Sequence, residues 1–127
     1  FTTGSSTLSN SAKSSLSKFA NNVLKQNPDM DVAIQGYTDN QGWRNSTVAQ
    51  SQQKNLELSQ MRAQSVSTYL MQCGVSGTQI KSVEGFGEAN PVASNDTKAG
   101  QEQNRRVEVY MYASQQMIQQ AENGTLQ

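Results

Sequence analysis

The chain has 127 residues, in which ten basic side chains balance ten acidic ones. A chain of this length predicts one domain with a single core, and dispersed charge without a basic face argues against nucleic-acid binding. No apolar run approaches the roughly 18 residues of a membrane-spanning helix. The chain starts without a signal peptide, at a phenylalanine typical of a strand interior. We therefore expect a further segment to precede Phe1 and to carry any membrane anchor.

Histidine is absent and Cys73 is the only cysteine. These two facts exclude an intramolecular disulfide, a cysteine-based metal cluster, and the Ser-His-Asp and Cys-His catalytic arrangements. Acid–base chemistry would have to depend on carboxylates or lysines. We therefore predict no metal and no cofactor, and for Cys73, at the end of an apolar helical stripe, a buried thiol.

The first part of the chain has the pattern of a helix followed by a strand. Apolar residues recur at helical spacing over residues 8–24, Ser9 is a suitable N-cap, and Pro28 ends the helix. The alternation in residues 32–34 then predicts a strand.

The second part alternates in the same way. Residues 43–54 are polar without a clear period, which predicts a loop or a frayed helix, and a second helix should span about Leu56 to Gln72, closed by Gly74. The stretch "IKSVEGFGE" predicts a strand with glycine breaks, "NPVASNDTKAGQEQN" a loop with one short helix, and "RRVEVYMYA" a strand of clean period two.

This order of elements predicts an α/β sandwich of about four strands with helices packed on one face. One domain should span residues 1–113. Residues 114–127 form a polar, glutamine-rich tail, in which Met117, Ile118 and Ala121 make a weak helical stripe.

Asp39 lies in "GYTDNQG", directly after the predicted strand at residues 32–34. Such a cluster of Asp, Asn and Gly is common in plain turns. The position also places a carboxylate at the carboxyl end of a strand, where α/β sheets open their ligand crevices. The spacing alone leaves both interpretations open.

Arg62 is the unusual residue of the second helix. One side of that helix is predicted to be apolar and to contain Leu58, Met61, Val66, Tyr69, Leu70 and Cys73, with Gln60, Gln64, Ser67 and Met71 opposite. Arg62 projects into the apolar side together with Asn55 and Ser59. A guanidinium there needs an anionic partner, a route past the helix end, or a wet cleft. A structural ion pair and a ligand-binding role shared with Asp39 are both compatible with this pattern.

Four stretches taken in order resemble the C-terminal domain of OmpA-like proteins, a family that includes the peptidoglycan-associated lipoproteins and the flagellar stator protein MotB. They are "GYTDNQG", "NLELSQMRAQSVSTYLMQCGV", "IKSVEGFGEANPVASN" and "NRRVEV". The resemblance covers about residues 1–113 and implies a β-α-β-α-β sandwich with a mixed sheet. It also implies a periplasmic, non-covalent peptidoglycan binder of Gram-negative bacteria.

The resemblance further implies the ligand and the residues that bind it. The ligand would be the peptidoglycan stem peptide, chiefly its diaminopimelate residue. Asp39 matches the aspartate of the family's "TD" motif, and Arg62 matches the arginine of its "LS-x-x-RA" motif. The other positions that match the family's groove or border it are Thr38, Asn40, Asn55, Leu58, Asn104 and Arg105.

The chain departs from the family pattern in two places. The interval between Asp39 and Arg62 is longer than usual, with "WRNSTVAQ" as the insertion, and "FTT" replaces the family's "FD" near the start, so Thr2 stands where an acid is usual. Trp43 in the insertion is interpreted as a surface aromatic or part of a small satellite core, with contact to the groove as the alternative.

The predicted function is therefore peptidoglycan binding that tethers the outer membrane, or an envelope complex, to the cell wall. A module that binds other envelope proteins is the alternative. An enzyme is not predicted, because a carboxylate-based hydrolase needs two converging acids. Beyond Asp39, the candidates are Glu84 and Glu88, which are predicted to be surface positions.

Overall fold

The computed structural model describes residues 1–114 together with 117 and 118. Within them, helices and strands alternate: α1 (Asn10–Phe19), continued by a π-helical turn (Ala20–Leu24), β1 (Met30–Gly36), α2 (Val48–Gln72), β2 (Ile80–Gly85), α3 (Lys98–Asn104) and β3 (Val107–Ala113). Of the residues in the predicted tail stripe, Ala121 lies outside the described residues.

The described strands form one mixed sheet of three strands in the order β2-β1-β3. β1 pairs parallel with β2 and antiparallel with β3, so β1 is central. α2 packs across β1 and β2, and α1 packs against α2. The α/β sandwich with a mixed sheet is confirmed, but the expected count of about four strands is too high by one.

The segment around Phe1 accounts for that difference. Residues 1–4 form a turn and not a strand. The carbonyls of Thr2 and Ser5 accept hydrogen bonds from the Arg62 side chain at 3.0 and 2.8 Å, in place of partners on a neighbouring strand. This segment is therefore held by Arg62 of α2 and by Arg105, which bonds to Phe1, and not by pairing with a strand.

The core lies between the sheet and the two longer helices. Its buried members are Ala20, Leu24, Val32, Ile34, Ala63, Val66, Leu70 and Val75. Val107, Val109 and Met111 of β3 and Cys73 pack against it while remaining partly exposed. The period-two interpretation of β3 is confirmed, whereas Cys73 is less buried than predicted.

The second helix differs from its predicted form at its start. Thr47 caps it with a reciprocal pair of bonds: the Thr47 hydroxyl accepts from the Gln50 amide at 3.1 Å, and the Gln50 side chain accepts from the Thr47 amide at 2.8 Å. α2 therefore begins at Val48, eight residues before the predicted start at Leu56.

The buried face of α2 is more polar than the pattern of apolar residues predicts. Met61 is 55% exposed, whereas Ser67 is buried. The prediction for these two residues is wrong because α2 lies so close to the sheet that small side chains line its inner face. A Cβ at Gly36 would overlap the Ser59 carbonyl, and one at Gly85 would overlap the backbone nitrogen of Gln60.

Candidate functional site

A cavity of about 210 Å³ lies at the carboxyl end of β1. The N-terminal loop, the β1–α2 loop, the first half of α2 and the residue after α3 enclose it. Its described lining consists of Thr3, Gly4, Thr38, Asp39, Gln41, Gly42, Trp43, Arg44, Asn55, Leu58, Arg62 and Arg105. This is the edge of the sheet at which one of the two interpretations of Asp39 predicts a ligand crevice.

Asp39 is held in this cavity by the way β1 ends. After Gly36 the chain stays extended, because the Tyr37 amide donates to the Arg106 carbonyl at 2.9 Å and the Thr38 amide donates to the Gly87 carbonyl at 2.8 Å. The Asp39 carboxylate is only 6% exposed. One of its oxygens accepts from the Gln41 amide at 3.0 Å, which is also the pattern of a turn. Asp39 thus both stabilises a turn and lines the cavity, so the two interpretations do not exclude each other.

Arg105 is the ionic partner of Asp39. Its Nη1 lies 2.8 Å from Asp39 Oδ2, and its Nε donates to the Phe1 carbonyl at 2.8 Å. The family resemblance predicts Arg105 only as a residue that borders the site and Arg62 as the partner of Asp39, so the structure corrects the pairing. The "NRR" motif was the available signal for Arg105, but its spacing of 66 residues from Asp39 gives no information about pairing.

Arg62 is completely buried and has no carboxylate within salt-bridge distance among the described residues. Its guanidinium donates to three carbonyls: to Ser5 at 2.8 Å through Nε, to Tyr37 at 3.0 Å through Nη1, and to Thr2 at 3.0 Å through Nη2. The Phe1 ring lies 5.1 Å from its guanidinium carbon. The direct partners of Arg62 are therefore backbone carbonyls, and not a carboxylate, a position past the helix end or a wet cleft.

The electrostatics of Arg62 follow from this burial. Burial lowers the pKa of Arg62 to about 10, against the opposing field of the Asp39 carboxylate, so the group stays cationic at neutral pH. A guanidinium carries five N–H donors, and the three bonds to carbonyls use three of them. Arg62 lies behind the cavity wall with no exposed surface, so its charge acts on the cavity as a field and not through a free N–H group.

The charge in the cavity suits a small group that carries both signs. Arg44, Arg62 and Arg105 line it together with one carboxylate, Asp39. A carboxylate offers about four acceptor positions, and Gln41 and Arg105 occupy two of those on Asp39. The arrangement can thus accept an ammonium at Asp39 and a carboxylate beside the guanidinium groups.

The other predicted site residues divide into two groups. Thr38, Asn55 and Leu58 line the cavity with Asp39. Asn40 is exposed and lines a separate, adjoining cavity. Asn104 is fully buried and binds the 92–95 loop: its Oδ1 accepts from the amides of Val92 and Ala93 at 2.8 and 3.0 Å. The structure thus does not bring Asn40 and Asn104 into the cavity.

Trp43 is 36% exposed, in agreement with its interpretation as a surface aromatic, and it also lines the cavity, as the alternative expected. Part of the predicted insertion is helical, since α2 begins at Val48, and the rest forms a loop over residues 43–47. Thr3, Gly4, Gln41, Gly42 and Arg44 also line the cavity and were not predicted to do so.

A larger groove of about 500 Å³ lies elsewhere, between α1 and α2. Lys13 is the one charged side chain among its described lining residues. In the described part of the chain, no cluster of three metal-ligating side chains occurs, and no helix has both the length and the hydropathy to cross a bilayer.

These features define the class of protein: a small α/β sandwich with a charged, partly enclosed cavity at the end of its central strand. Residues 1–105 match the model of the OmpA family, and the chain belongs to that family.

Curated relatives and solved structures agree with this membership. The chain is 46% identical over 86 residues to the peptidoglycan-binding protein ArfA of Mycobacterium tuberculosis, covering 68% of this chain and 24% of ArfA. It is 44% identical over 87 residues to the probable lipoprotein YiaD of Escherichia coli, covering 68% of this chain and 36% of YiaD. The chain thus spans well under half the length of either relative.

The crystal structure of the peptidoglycan-associated lipoprotein from Burkholderia pseudomallei superimposes with a TM-score of 0.73 at 30% identity, covering 87% of this chain and 86% of that one. The C-terminal domain of Helicobacter pylori MotB gives a TM-score of 0.76 at 22% identity, covering 97% and 88%, and supports the fold alone.

Proposed function

We propose that this domain binds peptidoglycan non-covalently, through the diaminopimelate residue of the stem peptide. The observation that carries the proposal is the cavity in which Asp39, Arg62 and Arg105 converge. The relatives support the ligand class, since ArfA is named a peptidoglycan-binding protein and a further structural neighbour is the cell wall anchor of the T6SS from Pseudomonas aeruginosa.

The side chain of diaminopimelate ends in a carbon that bears both an ammonium and a carboxylate. In this proposal, the ammonium donates to the free acceptor positions of Asp39. The carboxylate meets the guanidinium of Arg105, and the fully buried Arg62, whose guanidinium is bonded to three carbonyls, adds positive charge behind the cavity wall. Thr38, Asn55 and Leu58 form the remaining wall.

The same domain would act in the cell envelope as a tether. We propose a periplasmic location and attachment to the outer membrane or to an envelope complex, through a segment outside this sequence. We also propose that the domain binds and does not hydrolyse the wall. Glu84 is exposed on β2, and Glu88 lines the adjoining cavity, where it accepts from Asn55 Nδ2 at 3.1 Å. Neither glutamate is among the residues that line the Asp39 cavity.

Sedimentation with isolated peptidoglycan sacculi tests the proposal. Wild-type domain is expected in the pellet, and Asp39→Asn in the supernatant, because the amide keeps the shape of the side chain but loses the charge that attracts an ammonium. Glu84→Gln removes one carboxylate from an exposed position outside the cavity and is the matched control, which should sediment like wild type.

Two outcomes would contradict the proposal. Folded wild-type domain that stays in the supernatant at low salt would refute peptidoglycan binding and favour an envelope protein as the partner. Pelleting of Asp39→Asn at the wild-type level would show that the wall is bound elsewhere on the surface.

A further inference from the structure

We propose that Trp43 is a specificity-determining residue of the cavity, whose indole packs against the methylene chain of the bound stem-peptide side chain. The inference rests on the proposed function and concerns a residue outside the charged pair. Leu58 and Trp43 supply the large apolar side chains among the described lining residues. A diaminopimelate side chain has three methylene groups before its charged end, and these need an apolar wall.

Trp43 is held in place before any ligand arrives. Its indole Nε1 donates to Asn55 Oδ1 at 2.8 Å, and its backbone amide donates to Ser51 Oγ at 2.8 Å. Both acceptors are buried residues of α2. The indole bond fixes the ring against a rigid helix, and a binding residue gains affinity when its position is fixed in advance.

A lysine fixes the ring further. Lys54 Nζ lies 5.8 Å from the centroid of the Trp43 ring and donates to Ser46 Oγ at 2.7 Å. The loop over residues 43–47 is thereby bonded to α2 at two places, Trp43 and Ser46. Trp43 nevertheless remains 36% exposed, so part of its surface is available to a ligand.

Asn55 connects the indole to the polar wall. Its Nδ2 donates to the Gln41 carbonyl at 3.2 Å, while its Oδ1 accepts from Trp43. The Gln41 amide in turn donates to Asp39 Oδ1 at 3.0 Å. The apolar wall and the carboxylate thus belong to one hydrogen-bonded unit, so their relative position is fixed.

Titration calorimetry with a stem tripeptide that ends in diaminopimelate tests the inference. Trp43→Ala is expected to weaken binding about tenfold, which corresponds to about 1.4 kcal/mol, because the methylene chain loses its apolar wall. Trp43→Phe should keep affinity within about threefold, since a phenyl ring still covers the chain. Tyr112→Ala, which removes a 43% exposed aromatic from β3, is the matched control and should bind like wild type.

The chain has a single tryptophan, so its fluorescence reports on this residue alone. Saturating tripeptide is expected to shift the emission of the wild-type protein, and this measurement stands even if Trp43→Ala fails to fold. Unchanged emission, or wild-type affinity in folded Trp43→Ala, would overturn the role of Trp43 while the sacculus assay still supports the proposed function. Loss of wild-type binding to sacculi would overturn both.

Discussion

Replacement of Arg62 by alanine tests the structural role of this buried residue. The side chain is fully buried and donates to the carbonyls of Thr2, Ser5 and Tyr37. The bond to Tyr37 is buried, and the other two are partly buried. Arg62→Ala therefore removes three bonds from a charged donor and releases the N-terminal segment from α2.

The magnitude follows from these bonds. A buried carbonyl left without a donor costs about 1–3 kcal/mol, and water from the cavity can replace the partly buried bonds at lower cost. Relief of the burial of a charge offsets part of the loss. We expect the free energy of unfolding to fall by about 2–4 kcal/mol and the melting temperature by about 10–20 °C for a domain of this size.

Thermal unfolding followed by circular dichroism measures this change. Arg44→Ala is the matched control: it removes an exposed arginine from the same cavity wall and is expected to change stability by less than about 0.5 kcal/mol. Arg62→Lys should lie between wild type and Arg62→Ala, because an ammonium keeps the charge but cannot reproduce the fork of three bonds. If Arg62→Ala melts within a few degrees of wild type, the carbonyl bonds do not hold the segment.

Three further predictions follow. A stem peptide that ends in lysine should bind more weakly than one that ends in diaminopimelate, because it lacks one charge-assisted bond of about 1.5–3 kcal/mol; equal affinities by calorimetry would contradict the carboxylate contact. Gly36→Ala should destabilise the fold by about 3 kcal/mol or more, since the new methyl group would overlap the Ser59 carbonyl, and an unchanged urea midpoint would show that α2 can shift freely. Asn104→Ala should cost about 2–4 kcal/mol in the same assay, as it leaves the amides of Val92 and Ala93 without an acceptor; wild-type stability would mean that the loop repairs these bonds locally.

The sequence allowed the elements of the fold to be predicted because their signals are local. Ser9 caps α1 as expected, with its hydroxyl accepting from the Ala12 amide at 3.1 Å, and β1 and β3 follow the alternation of their apolar residues. The start of α2 was left open between a loop and a frayed helix, although its signal was present. Thr47 and Gln50 have the spacing of a capping box, but the polar residues that follow conceal the helical period.

The candidate site was less predictable, since its pairings join distant parts of the chain. Helical spacing correctly placed Arg62 on the inner face of α2, but it could not show that backbone carbonyls are its partners. Arg105 pairs with Asp39 across 66 residues, and no local pattern records such a contact. The position of Trp43 at the cavity could not be predicted, because its polar neighbours in sequence do not indicate that its indole bonds to Asn55.

The two glycines under α2 limit how this site can vary between related proteins. At Gly36 and Gly85 the backbone of α2 is in direct contact with the backbone of the strands. This contact fixes the separation between the end of β1 and Arg62. Mutation cannot adjust that separation in small steps, because even one methyl group is too large. A relative that binds a longer or bulkier ligand would therefore have to change its loops. The loops that line the cavity are the Trp43 loop and the turn at Gly4. The contact between α2 and the sheet keeps the width of this part of the site constant. Ligand preference in this domain would therefore diverge through the length and composition of its loops.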